Sequence, residues 1–430
     1  MLTRRGLLAG AAASLAAGAT AAFRNNALER VEIALARGGG EPDDHDFWYQ
    51  VRQAFTLDPN FVNFNNGGCS PSPRIVADAV KRQMDYGNQA PSYYMWQHLT
   101  PEREAVRKRL AAFFHVSPDE IAITRNASES LETCLFGIDL QPGDEVVCSR
   151  LDYPRMITTL KTRERREGIK LVTVDSPIPS MSDSQVRRHL VEGYAKAITA
   201  RTKLMLVSQV SFMNGQIFPI KEVCALGKKN GIPVVVDGAH AFAQYEFDHR
   251  DLQCEMYGAS LHKWLMAPMG TGLLYVQKDR IPHVWPLMAA ADTQDKDIRK
   301  FEEIGTHQAA TINGIGEALT FAEMLGQKRK EARLRHLRSI WTRKIADHPK
   351  VRWYTSLNND ESCGLTTVGM KHIKTADLQT WLMAQKGIYV ISIVNDFIDG
   401  LRVTPNVYTT DAEAERFADA LWEAATKGIS

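Results

Sequence analysis

Ile232-Pro233-Val234-Val235-Val236-Asp237-Gly238-Ala239-His240, followed some two dozen residues later by Tyr257-Gly258-Ala259-Ser260-Leu261-His262-Lys263-Trp264-Leu265, is the stretch that decides the fold. A run of valines that ends in an acid reads as a buried strand of a parallel sheet, and ligands in such sheets sit beyond the carboxyl ends of the strands. A carboxylate there is costly unless a cation pairs with it. With the Ser-x-His-Lys run that follows, it reads as a site for an aldehyde cofactor. The Lys263 amine is expected to form a Schiff base with pyridoxal phosphate (PLP), while Asp237 keeps the pyridine nitrogen protonated. A lysine in an apolar pocket beside another cation has a lowered pKa and serves first as nucleophile, then as base. The plain alternatives are a surface lysine and an aspartate that merely starts a turn with Gly238.

PLP needs more than these two groups, and the chain offers a candidate for each need. In Thr124-Arg125-Asn126-Ala127-Ser128-Glu129 a strand ends and a helix begins. The N–H groups of Asn126, Ala127 and Ser128, with the Ser128 hydroxyl, suit a phosphate. A simple Ser or Asn helix cap fits the same spacing. Ser260 and His262 add donors from the other side, and His240 is placed to bond the phenolic oxygen. Tyr153, in Leu151-Asp152-Tyr153-Pro154, either stacks on the ring or belongs to the core. Gln209 and Ser211 follow the strand before Asp237 and point to cofactor or substrate contacts. Arg402 lies on an apolar strand ending at Pro405. A buried arginine needs an anion, either a structural partner or the substrate carboxylate that its two-pronged head fits. Backbone N–H groups at Asn66 and Gly67 are expected to complete that carboxylate site.

Around these residues apolar strands alternate with amphipathic helices. Strands are expected at 121–124, 145–148, 171–174, 204–207, 234–236 and 272–276, with helices at 129–136, 154–166, 185–198 and 220–229. The alternation predicts an α/β fold with a mainly parallel sheet covered on both faces. From about Asn313 a long charged helix over 318–348, shorter strands and a final helix over 411–425 predict a smaller α+β domain. The expected division is an N-terminal segment and linker over 26–60, a large domain over 61–312 and a small one over 313–430.

Residues 1–25 read as an export signal: Thr3-Arg4-Arg5-Gly6-Leu7-Leu8 is a twin-arginine opening, and Ala19-Thr20-Ala21 offers a cleavage site. That predicts passage through the twin-arginine translocon as a folded protein and a periplasmic destination, with no stable membrane insertion. The 430 residues carry 52 Lys+Arg against 50 Asp+Glu, so no basic field marks a nucleic-acid partner. The six cysteines form no metal-type cluster, and no metal is expected.

In order along the chain, Asn65-Asn66-Gly67-Gly68, Asn126-Ala127-Ser128, Val236-Asp237-Gly238-Ala239-His240, Ser260-Leu261-His262-Lys263 and Leu401-Arg402-Val403-Thr404-Pro405 resemble the class V aminotransferase family of fold-type I PLP enzymes, and its isopenicillin N epimerase-like branch in particular. The resemblance implies a seven-stranded sheet sandwiched by helices. It also implies a homodimer with shared active sites, in which Gly305 and Thr306 reach the partner's cofactor phosphate. The implied activity is on the amino group or Cα of an amino acid, or of an amino-acid unit in a peptide-like metabolite. Epimerase or C–S lyase chemistry is possible on the same scaffold, as is a non-catalytic protein that only holds a ligand. The branch also contains exported members, one of which acts on a siderophore of the pyoverdine type, and the signal makes such a role an expectation here. Cysteine desulfurases of the family need a nucleophilic thiol near the C-terminal domain, and residues 388–401 contain none.

Overall fold

A computed structural model describes residues 26–175 and 183–429. The export-signal reading of residues 1–25 therefore lies outside the described part. Seven strands build the central sheet: β1 (Ile121–Thr124), β2 (Glu145–Ser149), β3 (Lys170–Val174), β4 (Thr202–Ser208), β5 (Val234–Asp237), β6 (Met256–Ser260) and β7 (Gly272–Val276). Their order is β1-β7-β6-β5-β4-β2-β3. All neighbours run parallel except β7, which is antiparallel to both β1 and β6.

Side chains on a strand alternate between faces, and here both faces are dry. Val147, Met205, Val207, Val234 and Val236 pack into one core with the helices Thr100–Phe114, Asp183–Ala197 and Ile220–Asn230. Val146, Cys148, Leu204, Leu206 and Val235 pack into the other, under the helices Ala127–Gly137 and Pro154–Glu167. Strand β6 was not expected as a strand. Its Gly258 and Ala259 give little β signal. A Cβ on Gly258 would lie 2.9 Å from Leu131, so the glycine lets the Ala127–Gly137 helix press onto the sheet.

The small domain holds an antiparallel sheet in the order Ile391–Val394, Asp399–Val403, Thr366–Met370, Val351–Trp353. Three helices, Gln327–Ile345, Thr375–Lys386 and Asp411–Lys427, cover it through Trp341, Leu382 and Phe417. Two expectations need correction. The single charged helix over 318–348 is two helices, Ala309–Leu325 and Gln327–Ile345, broken at Gly326 with φ +81°. The first of them packs on the large-domain helices Arg74–Asn88 and Thr100–Phe114, so the passage to the small domain falls at Gly326 rather than near Asn313.

The polar stretch before Phe47 is also no free linker. Asp44 caps the helix His45–Arg52, and Phe47, Trp48 and Val51 join Phe321, Leu325 and Tyr408 in a core of their own. No helix among the described residues is long and apolar enough to cross a membrane.

Candidate active site

The carboxyl ends of the parallel strands open into a cleft of about 820 Å³. Asp237, the last residue of β5, lies on its floor, 7% exposed, and its Oδ1 accepts the Ala239 N–H at 2.9 Å. Burial pushes its pKa up, while that N–H and the charge of Lys263 pull it down. Lys263 follows β6 by a short turn. Burial lowers its pKa to about 8, with Asp237 opposing and Arg402 assisting. Its Nζ stands 3.2 Å from His240 Nε2. Burial first, then the charges of Lys263 and Arg402, hold His240 well below the ordinary histidine range, so its ring is neutral at pH 7. Its other nitrogen, Nδ1, is buried without a partner among the described residues.

At one end of the cleft begins the Ala127–Gly137 helix. Asn126 caps it, its Oδ1 accepting the Glu129 N–H at 2.9 Å. The Ala127 N–H donates to Ser260 Oγ at 2.9 Å, tying the helix start to the end of β6. Ser128 lines the cleft, and neither its N–H nor its hydroxyl bonds a described residue. Asn126 and Ser260 thus act mainly as scaffolding around an open helix N-terminus. His262 also lines this wall, with Nδ1 3.3 Å from the Thr271 carbonyl. Tyr153 stands across the cleft, its ring edge-on to Phe212 at 5.1 Å.

The opposite end is built by the small domain. Val62–Asn63 pairs with Ile388–Tyr389, and Asn65 bridges to Thr404, which brings the Asn65–Gly68 loop against the strand Asp399–Val403. Arg402 is 6% exposed and donates to the Phe212 carbonyl and to Asn65 Oδ1, while its Nε has no partner. Burial lowers its pKa to about 10. No carboxylate pairs with it among the described residues.

Of the residues expected from sequence, Asn126, Ala127, Ser128, Tyr153, Asp237, His240, Ser260, His262, Lys263, Gly67 and Arg402 meet on this one surface. Four expected contacts are not made: those of Gln209 and Ser211, and those of the Asn66 and Gly67 N–H groups. The Gln209 side chain turns the other way, donating to the Tyr245 hydroxyl and accepting from that of Tyr257. Asn66 is fully buried and holds the Thr404 carbonyl and the Tyr408 hydroxyl. Its N–H and that of Gly67 are spent on Thr404, so they cannot serve a substrate carboxylate. The residue that sequence reasoning missed is Asn65, one position earlier, which lines the cleft and meets Arg402. The strand bridge to Thr404 that selects it is tertiary, and left no local signal. Ser211 is likewise absent from the cleft wall: its N–H donates to the Gln216 carbonyl, its carbonyl accepts the Gly215 N–H and its Oγ accepts the Met213 N–H. Thr306 is solvent-exposed, and this chain's own cleft does not include it.

The floor and walls fit PLP. An acid awaits a ring nitrogen, a desolvated amine awaits an aldehyde, and an orphaned imidazole nitrogen and an open helix start await oxygens. Residues 62–405 match the model of the aminotransferase class-V family.

The chain belongs to that family. It is similar to isopenicillin N epimerase of Amycolatopsis lactamdurans, 28% identical over 398 residues that cover 87% of this chain and 98% of the relative. The Streptomyces clavuligerus epimerase is 27% identical, covering 87% and 97%. A probable cysteine desulfurase of Pyrococcus abyssi is 25% identical, covering 87% and 96%. Among solved structures, C-DES with glycine covalently linked to its PLP cofactor has a TM-score of 0.76 at 22% identity, covering 86% of this chain and 98% of that one. The Escherichia coli cysteine desulfurase CsdA also scores 0.76, at 20% identity and covering 89% and 99%. These structures establish a fold-type I architecture. The cofactor of this class-V chain is pyridoxal 5'-phosphate, and the chain is a PLP enzyme.

Proposed function

We propose that the enzyme acts on the Cα–H bond of an α-amino acid, free or as the terminal unit of a peptide-like metabolite. The observation that carries this reading is Arg402: a buried guanidinium, without a carboxylate, on the same cleft as Lys263. Leaving such a charge unpaired is costly unless a ligand supplies the anion. Bound PLP supplies an aldehyde that captures the amino group and an electron-poor ring that acidifies Cα–H. The chain's own groups do the rest. Asp237 holds a proton at the ring nitrogen. The neutral His240 ring offers one N–H and one acceptor. Ser128 and the helix start bind the phosphate. Arg402 and the Asn65 carboxamide hold the substrate carboxylate, which fixes Cα near Lys263. Lys263, with its pKa near 8, takes and returns the Cα proton at Nζ.

Transamination, epimerisation and C–S lysis share this proton step, and the relatives' names span epimerase and desulfurase. A desulfurase reading is disfavoured by the thiols. Residues 388–401 hold no cysteine; five cysteines are buried, and Cys69, half-buried with its Sγ 3.8 Å from the His262 carbonyl, has its pKa raised by burial, with the charge of Lys263 opposing. Exchange of Cα hydrogen for deuterium in heavy water, followed by NMR over a panel of amino acids and peptides, tests the reading. Exchange that requires Lys263 is expected. A protein that binds amino acids without exchanging Cα–H would be the ligand-holding alternative.

Three finer expectations belong to the same proposal. We take the enzyme to be a homodimer in which Gly305 and Thr306 serve the partner's phosphate site, and Thr306 is exposed as that role needs. The twin-arginine sequence supports export to the periplasm. Siderophore tailoring, pyoverdine included, rests on that export reading, and the secreted siderophores of a deletion strain test it.

A further inference from the structure

Asp152 is a buried acid that the proposed chemistry does not use. It is 1% exposed, and no cation pairs with it among the described residues. Its carboxylate is instead filled by donors from two strand ends. Oδ2 accepts the Ser149 N–H at 2.7 Å, where β2 ends. Oδ1 accepts both the Ser208 N–H and the Ser208 hydroxyl at 2.7 Å, where β4 ends. Ser208 is in register with Asp237 on the neighbouring strand and lines the cleft. On the other side of Asp152 the chain continues directly into Tyr153. The turn is tight, with the Asp152 N–H returning to the Ser149 carbonyl and the Leu151 N–H to Ser149 Oγ.

Three donors converge on both oxygens of one side chain. An amide of the same shape would answer only one oxygen's donors and set its own NH₂ against the other side. Burial raises the pKa of Asp152 to about 7, with Asp237 adding to the rise, so the acid is held there against its solvation preference. That cost is understandable if the turn must be fixed exactly where the cofactor lies.

We propose that Asp152 is a positioning residue for the cofactor: it locks the Tyr153 turn onto the strand end carrying Ser208, and so sets the aromatic wall and the Asp237 floor at a fixed separation. The proposal rests on the PLP reading of the cleft. Tyr153 would meet a face of the bound ring and Asp237 its nitrogen, so loosening the clamp would shift these two groups relative to each other rather than remove a contact.

The test compares wild type with Asp152→Asn and Ser208→Ala by PLP dissociation constant, by visible circular dichroism of the bound cofactor, and by Tm. Asp152→Asn is expected to weaken PLP binding about tenfold, roughly the worth of one hydrogen bond to a charged group. It should also diminish the dichroic band, which reports ring placement. Ser208→Ala should move both in the same direction by a smaller factor. If Asp152→Asn lowers Tm alone, with wild-type PLP affinity and dichroism, the residue is a structural clamp and the inference falls. If that variant does not fold, Ser208→Ala decides, and an unchanged affinity and band there overturn it. A wild-type chain that takes up no PLP would instead overturn the reading of the cleft itself, and this inference with it.

Discussion

In the proposed chemistry two side chains, Lys263 and Asp237, do the central work, and their surroundings set their titration. The amine of Lys263 has its pKa lowered to about 8, so its reactive, unprotonated fraction grows as pH rises toward that value and saturates above it. The rate at which the cofactor-free protein captures PLP should therefore climb between about pH 6 and 8 and level off beyond, read by stopped-flow absorbance. A rate independent of pH over that interval would contradict the assignment. Arg402→Gln removes a charged two-pronged donor. It should cost about 1.5–3 kcal/mol, roughly 10- to 100-fold in kcat/KM for carboxylate-bearing substrates, while PLP binding stays near wild type. These residues were legible in the sequence because each sits in a local pattern: an acid after valines, a lysine after Ser-x-His, an arginine on an apolar strand. Asn65 was not legible. Two adjacent asparagines look alike in the chain, and the bridge to Thr404 decides which of them faces the cleft. Gln209 misled for a related reason. Successive side chains at a strand end point to opposite faces, so Ser208 received the cleft and Gln209 the tyrosines.

Helix and strand ends, rather than their middles, build the proposed phosphate site. The Ala127–Gly137 helix starts where β7 passes beneath it, and Gly272 is the point of contact. A Cβ there would stand 2.7 Å from the Asn126 backbone and 2.6 Å from Thr124 Oγ1. Gly272→Ala should displace the helix start and weaken PLP binding, at an overpacking cost of about 1–3 kcal/mol, measured by cofactor titration and Tm. Unaltered affinity would show that the helix N-terminus does not carry the phosphate. The sheet was legible as a class because the valine-rich strands are buried on both faces and read as unbroken apolar runs. Strand β6 escaped since glycine and alanine serve close packing there. The break at Gly326 escaped because the helical pattern of Ala318–Leu325 resumes at once in the basic run from Gln327, so a single glycine reads as part of one helix.

At the scale of the whole molecule, Arg333, on the first small-domain helix, ties the N-terminal segment to the small domain. It is 1% exposed, donates to the carbonyls of Pro42 and Thr409, pairs with Asp411 at 2.6 Å, and stacks over Trp48 at 5.2 Å. One guanidinium thus joins the N-terminal helices, the small domain and the C-terminal helix. Arg333→Ala leaves the Asp411 carboxylate with His336 as its near partner, at 2.7 Å. The expected loss is about 3–5 kcal/mol, as for breaking a buried pair, with earlier proteolysis of the N-terminal segment in timed digests. A Tm and cleavage pattern matching wild type would show that the N-terminal helices are held by their apolar contacts alone. None of this was legible in the sequence, where residues 26–60 read as an N-terminal segment and linker and Arg333 as one basic residue among many in a charged helix.

The most direct check of the central claim is chemical. Purified protein loaded with PLP is reduced with borohydride, digested, and the modified peptide is sequenced by mass spectrometry. The reduced pyridoxyl group is expected on Lys263, with loss of the visible band, and Lys263→Ala should carry none. Attachment to a different lysine, or no attachment in a protein that nonetheless turns over amino acids, would contradict the account.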